Sequence, residues 1–332
     1  MIDYSEIKGL DQDLKKVNEH IRRLCKSDDE VMQKMMDEVI LAQGKQIRPL
    51  LTLLCSRLNQ KRADASETAA VIEICHTASL IHDDIIDHSD YRRGKPSLQK
   101  QFGPEMAVYA GDFMIFSTIG RTQLTNKPWY KKMFQYLEVM CNGEVSQYAH
   151  QFDMDITEEQ YISNIIGKTS AMFIIACESG AYEGKCSYQQ RQAIERFAKY
   201  FGLVFQIRDD LSDLLSTKKS ERKTIHSDLK NGYYTLPVIH TFSHPIYGEQ
   251  LREIAKKVRR EVDNTQYDET INKIIRSAGG YVYAVKQIKK YYEAAVSELR
   301  LFKDSPSKKA LLSITAYLID HLPEDHFLSE GD

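Results

Sequence analysis

Glycine and proline are both scarce in this 332-residue chain, at 16 and 8 residues. That leaves little turn chemistry and disfavours a sheet-rich fold. The six cysteines, at 25, 55, 75, 141, 177 and 186, form no Cys-x-x-Cys pair, and most lie in apolar runs. They read as reduced core residues rather than a disulfide framework. No uncharged apolar run reaches the roughly 18–20 residues a membrane span needs. The stretch from Met1 to Lys16 carries acids and bases where a signal peptide would be apolar. A soluble, cytoplasmic protein is expected. Strong charge of one sign is also missing: the net charge of −2 offers no global attraction to nucleic acid or an anionic membrane. Any charged recognition must be local.

What the chain does have is helical periodicity almost throughout. Leu14, Val17, Ile21 and Leu24, then Val31, Met35 and Val39, predict two helices broken near Ser27-Asp28-Asp29. Gly44-Lys45-Gln46-Ile47-Arg48-Pro49 is a short basic element leading into the apolar run Leu50–Leu54. Helices are expected at about 66–88, 104–124, 128–151, 158–182 and 188–216, then 235–243, 247–263, 267–277 and 281–302, with a last one starting at Ser305-Pro306. Thr157 with Gln160, and Ser187 with Gln190, have capping-box spacing. Pro104 and Pro128 suit a first helical turn. Residues 217–232 are polar, basic and aperiodic, and form the longest expected loop. With no linker and no low-complexity segment, the expectation is one all-α domain over 1–332.

The one internal repeat is chemical. His82-Asp83-Asp84-Ile85-Ile86-Asp87 closes the apolar run from Ala69, and Asp209-Asp210-Leu211-Ser212-Asp213 closes the run from Phe201. In a helix the first and last aspartates of each triad are one turn apart on one face, with the middle one rotated off it by about 100°. Negative charge at a helix C-terminus opposes the macrodipole, so the local structure gains nothing from it. Something positive should sit there. Hard oxygen ligands favour Mg²⁺ or Mn²⁺ over zinc, and Mg²⁺ completes its shell with water and substrate phosphate. The implied ligand is a phosphorylated compound.

Candidate phosphate-binding cations are Arg92, Arg93 and Lys95 after the first triad, Lys218 to Lys223 after the second, and Lys45, Arg48 and Lys168. Arg92 and Arg93 also read as an ordinary solvated loop. Lys168, inside Ile-Ile-Gly-Lys-Thr-Ser-Ala-Met-Phe, must snorkel or find an anion. Glu73-Ile-Cys-His76 matches the Glu-x-x-His of di-iron bundles, but the second pair such a site needs is missing.

Taken in order, these motifs resemble those of the trans-prenyltransferases, the all-α isoprenyl (polyprenyl) diphosphate synthases with the isoprenoid synthase fold. The resemblance runs from about Gly44 to Pro237, with a fainter match through Gly279-Gly280. It rests on Gly44-Lys45-x-x-Arg48-Pro49, the two triads, Arg92-Arg93-Gly94-Lys95-Pro96-Ser97, Phe102-Gly103 and Gly111-Asp112. Gly143-Glu144-x-x-Gln147, Lys168-Thr169, Phe205-Gln206 and Asp228-Leu229-x-x-Gly232-x-x-Thr235-Leu236-Pro237 complete it. The resemblance implies head-to-tail condensation of isopentenyl diphosphate with an allylic diphosphate. Asp83, Asp87 and Asp209 would bind three Mg²⁺ (Mn²⁺ substituting), supported by Asp84, Asp210 and Asp213. Arg92, Lys168 and Lys223 would hold the allylic diphosphate, and Lys45, Arg48, His76 and Arg93 the isopentenyl diphosphate. Thr169 and Gln206 would line the reacting centre.

Product length should depend on the level beneath Asp83. There Ala78 and Ser79 are small where short-chain enzymes of the family carry an aromatic ring, so a growing chain would pass toward Ile74, Cys75 and Val71, flanked by Met114 and Phe116. An all-trans product of about C30–C40 for quinone side chains is implied, as in hexaprenyl- and heptaprenyl-type enzymes. The alternatives are a geranylgeranyl-type short-chain synthase, a non-catalytic regulatory subunit and a class I terpene cyclase. Intact Lys45, Arg48 and Arg93 speak against the cyclase, and two complete triads against a purely regulatory role. The chain departs from the family at Tyr233, where a lysine is usual, at Arg222 before Lys223, and at Ser212. A homodimer is implied, with room for a small accessory subunit and for delivery of the product to a membrane.

Overall fold

The described residues of this computed structural model are 7–42, 44–59, 63–215, 227–260, 265–320 and 322. Among them the helices are α1 (Leu10–Leu24), α2 (Glu30–Leu41), α3 (Ile47–Cys55), α4 (Ser66–Ile86), α5 (Leu98–Phe102), α6 (Pro104–Arg121), α7 (Pro128–Ala149) and α8 (Glu158–Ile165). They continue with α9 (Ala171–Glu183), α10 (Tyr188–Leu215), α11 (Ser227–Lys230), α12 (Leu236–Phe242), α13 (Tyr247–Arg260), α14 (Asp268–Ser277), α15 (Gly280–Glu298) and α16 (Pro306–Tyr317). The only strands among the described residues, β1 (Tyr91–Arg92) and β2 (Lys95–Pro96), form a small antiparallel hairpin. The all-α expectation holds. Chain contacts divide the molecule into two compact units: Met1–Gln135 with Met172–Glu195 and Leu301–Leu311, and Tyr136–Ala171 with Arg196–Arg300 and Leu312–Asp332. The boundaries fall within α7, α9, α10, α16 and the 3₁₀ turn Leu299–Leu301. No linker marks them.

In the first unit α4 packs against α1, α3 and α6. It is apolar on every side, with Ala69, Ala70, Val71, Ile72, Ile74 and Ala78 all buried, which is what a central helix requires. Each large aliphatic side chain removed from water there contributes roughly 1.5–3 kcal/mol. Helix α9 backs directly onto α3. A Cβ on Gly180 would strike the Thr52 carbonyl oxygen, and one on Gly184 that of Ser56, so only hydrogen fits at these two positions. Buried charges are paired: Arg57 with Asp13, and Glu183 with Lys127 at 2.9 Å while it accepts from Trp129 Nε1 at 3.0 Å.

The second unit centres on α12, which packs against α8, α13, α14 and α15. The Thr157–Gln160 capping box forms with both reciprocal bonds, as its spacing predicts. The single helix expected over 158–182 is interrupted: residues Ile166–Ser170 form one π-helical turn between α8 and α9. Periodicity cannot register such a turn, since one inserted residue barely disturbs a short apolar run.

Candidate active site

In the first unit the first triad ends α4 as its spacing predicts. Asp83 is half-buried and Asp87 exposed, while Asp84 is buried. Asp84 is gripped by Arg92, whose Nε donates to its two oxygens at 2.7 and 2.8 Å and whose second nitrogen lies at 2.6 Å. The Arg92 side chain remains 36 % exposed. The segment read as a possible solvated loop is therefore built. It is a two-residue hairpin whose central residues Arg93 and Gly94 have φ of 51° and 78°, the left-handed pair such turns demand. Ser97, with its hydroxyl donating to the Ser89 carbonyl at 2.7 Å, then caps α5. Gly111 leaves room for the His82 ring, which lies 3.4 Å from Asp112. That accounts for the Gly-Asp motif.

Basic groups gather on α3 and α4. Arg48 Nη1 meets His76 Nε2 at 2.8 Å, and the guanidinium lies 4.5 Å from the centre of the Phe173 ring. Burial lowers Arg48 to about 10, so it stays charged at neutral pH. Burial and the charges of Arg48, Arg93 and Arg92 hold His76 well below its usual range, so its imidazole is neutral and accepts from Arg48. Arg48 Nε is buried and has no hydrogen-bond partner. A cation with a spare donor, stripped of water, is a natural anion ligand. Arg93 donates to the Ala42 carbonyl at 3.2 Å, with its guanidinium where a Cβ on Gly44 would fall. Gly44 thus admits an arginine fifty residues away. Lys45 is exposed. Glu73, unassigned from the sequence, is the carboxylate of this cluster: burial raises it, and Arg48 and Arg93 pull it back. The Glu-x-x-His spacing thus serves an arginine cluster.

Beneath the first triad, Ala78, Ile74 and Cys75 are buried and Ser79 is half-buried. Ile74 and Met114 line a cavity with Ile21, Val39, Ile40, Glu73 and Thr77. Phe116, expected to flank this level, is instead 67 % exposed. Its position on α6 points it away from α4, a direction the apolar run could not reveal.

The second unit assembles the other half of the motifs. Asp209 is exposed and Asp213 half-buried, while Asp210 is buried. Asp210 accepts from Tyr161 at 2.6 Å and from Gln206 at 2.7 Å, and Gln206 in turn accepts from Thr169 at 2.7 Å. Burial nevertheless pushes Asp210 up to about 6. Thr169 and Lys168 sit on the π turn. Lys168 reaches Glu144 at 3.0 Å and Gln147 at 3.0 Å. Gly143 makes that reach possible, since a Cβ there would lie 2.7 Å from the Lys168 amide nitrogen and 2.8 Å from Gly167 Cα. Asp228 is the fourth carboxylate of this corner. Burial, then Asp210, Asp213 and Asp209, push it up to about 8 against the pull of Lys168. Its presence in a quoted motif was the available signal; Tyr161 had none. Lys223, with Arg222 and Lys218, lies outside the described residues.

Among the described residues, no group of three or more His, Cys, Asp or Glu side chains is arranged to hold a metal ion by itself. The donor set nonetheless fits a hard divalent cation. Oxygen ligands are concentrated but incomplete, as in sites finished by water and phosphate. Burial and then the charges of Asp210, Asp213 and Asp209 raise Asp228, and such a cation would relieve the repulsion among them.

The family model for polyprenyl synthetases matches residues 29–274. The all-trans-nonaprenyl-diphosphate synthase (geranyl-diphosphate specific) of Rhodobacter capsulatus is 32% identical over 317 residues, covering 94% of this chain and 95% of that one. Heptaprenyl diphosphate synthase component 2 of Bacillus subtilis is 27% identical over 312 residues, covering 93% and 88%. The solved structure of a decaprenyl diphosphate synthase from Rhodobacter capsulatus superposes with a TM-score of 0.87 at 26% identity, covering 95% of this chain and 98% of that one. The chain belongs to the polyprenyl synthetase family and is a prenyltransferase of the all-α isoprenoid synthase fold. No helix among the described residues is long and apolar enough to cross a membrane.

Proposed function

We propose that this prenyltransferase condenses isopentenyl diphosphate head-to-tail with an allylic diphosphate, using Mg²⁺, and extends an all-trans chain of medium or long length. The observation that carries the reading is a crowding of carboxylates. Asp228 lies beside Asp213, whose Oδ2 accepts from the Asp228 amide at 3.4 Å. Burial and then neighbouring aspartates raise Asp210 to about 6 and Asp228 to about 8, with Lys168 pulling each back. Inward acids brought this close together suit a divalent cation.

Ionisation of the allylic C–O bond builds negative charge on the departing diphosphate; Mg²⁺ held by Asp83 and Asp87, and by Asp209, would supply Lewis-acid stabilisation of that charge. Arg92, held in place by Asp84, offers fixed positive charge to a diphosphate, and in the second unit Lys168 offers another. Arg48, Arg93, His76 and Lys45 hold isopentenyl diphosphate, the orphaned Arg48 Nε supplying a donor. The apolar surface of α4 keeps water from the allylic cation. The double bond of isopentenyl diphosphate attacks that cation, and the released diphosphate takes the proton. No protein nucleophile is required. Small Ala78 and Ser79 favour a long product, as does likeness to a nonaprenyl synthase. A geranylgeranyl-length product is the alternative. The exposed apolar residues Tyr109, Phe116 and Ile119 on α6 suit a homodimer, and likeness to a protein named as a component leaves an accessory subunit open.

Incubating the purified protein with Mg²⁺, labelled isopentenyl diphosphate and geranyl, farnesyl or geranylgeranyl diphosphate tests this. Elongated products support it, and no turnover with any primer, alone or with a candidate partner subunit, would end it. Ala78→Tyr is expected to shorten the product to about C15–C20 by closing the level one turn below Asp83. Unchanged product length on thin-layer chromatography would refute the small-floor argument.

A further inference from the structure

Asp228 belongs to α11, a single helical turn, and a turn that short has no stability of its own. Its neighbours must hold it. Leu229 is buried, the Gly232 amide donates to the Leu229 carbonyl at 3.1 Å, and the Tyr233 amide donates to the Asp228 carbonyl at 2.8 Å. Gly232, at φ 80°, lies against the Phe152 ring, and the Phe152 amide donates back to the Gly232 carbonyl at 2.8 Å. These contacts fix where the turn lies. They also restrain how it is rotated, since the buried Leu229 side chain and these backbone bonds could not all be kept if the turn spun about its axis.

The rotation has a further determinant. Lys230 Nζ lies 2.8 Å from Asp268 Oδ1, and the two side chains are only 6% and 16% exposed. Asp268 is the first residue of α14. Residues two apart on a helix point about 200° from each other, so a lysine drawn inward turns Asp228 the opposite way. The second triad lies beside it: the Asp228 amide donates to Asp213 Oδ2 at 3.4 Å, and the Asp228 carboxyl feels the charges of Asp210, Asp213 and Asp209. Neither Lys230 Nζ nor Asp268 Oδ1 makes an aligned hydrogen bond, so the pair is held by charge, and a buried ammonium leaves such a counter-charge only at a large desolvation cost. Lys230 is also thereby committed, and does not replace the lysine that this chain lacks at Tyr233.

We propose that the buried Lys230–Asp268 pair is a positioning device that sets Asp228 as the fourth carboxylate of the divalent-cation site. The proposal rests on the reading of that corner as a Mg²⁺ site. Affinity for Mg²⁺ is measured by titration calorimetry in the presence of inorganic diphosphate, with melting temperature recorded alongside. Asp228→Asn is expected to weaken Mg²⁺ binding about tenfold. Lys230→Met should weaken it by a similar factor, and the combined variant should lose no more than either alone. The double replacement Lys230→Met with Asp268→Leu should restore the melting temperature by packing but leave Mg²⁺ binding weak, which a merely structural role would not do. Should Lys230→Met fail to fold, Asp268→Asn takes its place in the cycle. Binding within twofold of the parent in Lys230→Met, or losses that add in the combined variant, would overturn the proposal. A parent protein that binds no Mg²⁺ with diphosphate would instead overturn the reading of the site itself.

Discussion

Asp84 and Asp210 occupy the same place in their triads, and each is buried while its outer neighbours are at least partly open to solvent. They are held by opposite means. Asp84 is matched by a full positive charge through three contacts of 2.6–2.8 Å from Arg92. Asp210 is held by neutral donors, the Tyr161 hydroxyl and the Gln206 amide. Neutral donors solvate a carboxylate without cancelling its charge, and burial still raises Asp210 to about 6. The first triad therefore spends one of its acids on aiming an arginine. The second leaves its middle acid to neutral donors, sits beside Asp228, and connects through Gln206 and Thr169 to the turn that carries Lys168. One spacing in the sequence thus serves two electrostatic settings: a middle aspartate paired with an arginine, and one solvated by neutral donors.

The largest expected effects are those the triads share. Asp87→Ala and Asp209→Ala should each lower turnover at least about 10³-fold, because each removes an outward oxygen ligand where leaving-group charge is offset. Far-ultraviolet circular dichroism should be unchanged, since neither is buried. Activity within tenfold of the parent in either variant would break the assignment of that triad to metal. The middle positions should then separate the two settings. Asp84→Asn leaves Arg92 without its counter-charge and free to swing, and is expected to lower turnover about a hundredfold and raise the KM for the allylic substrate. Asp210→Asn keeps an acceptor for Tyr161 and should cost only about tenfold. Equal losses in steady-state kinetics would erase the distinction between a charge-paired and a neutrally solvated carboxylate.

Much of this was legible in the chain before any coordinates. The triad spacing fixed which aspartates share a face, scarce glycine and proline pointed to helices, and the Thr157 and Ser187 boxes marked true helix starts. The resemblance singled out Arg48, His76, Lys168 and Gln206, and the structure finds Arg48 with His76 and Gln206 with Thr169 in direct contact. What escaped were features set by close approach between distant segments. Gly143 enters the sequence reading only as part of a motif, and its physical reason appears when Gly167 is found against it. The π turn, the arginine at positive φ in the hairpin and the buried Lys230–Asp268 pair leave no periodic trace. Phe116 was misread because an apolar residue in an apolar helix carries no label for which neighbour it faces.

The smallest expected effect is also the finest probe of the contrast. Tyr161→Phe removes one hydroxyl and nothing else from the second triad, leaving Asp210 Oδ2 buried without its 2.6 Å donor. Burial and the adjacent Asp210 hold the Tyr161 phenol well above its usual range, so it is a neutral donor at any working pH and its loss changes no formal charge. An unsatisfied buried acceptor costs about 1–3 kcal/mol, which in a protein of this size is a fall of a few degrees in melting temperature. Because Gln206 still links Asp210 to Thr169, the Lys168 turn should stay in place and turnover should fall only about threefold, with both KM values unchanged. A much larger loss of turnover at an unchanged melting temperature would mean that the Tyr161 proton is itself needed in the reaction. The second triad would then depend on a proton donor for its chemistry, where the first relies on a fixed arginine.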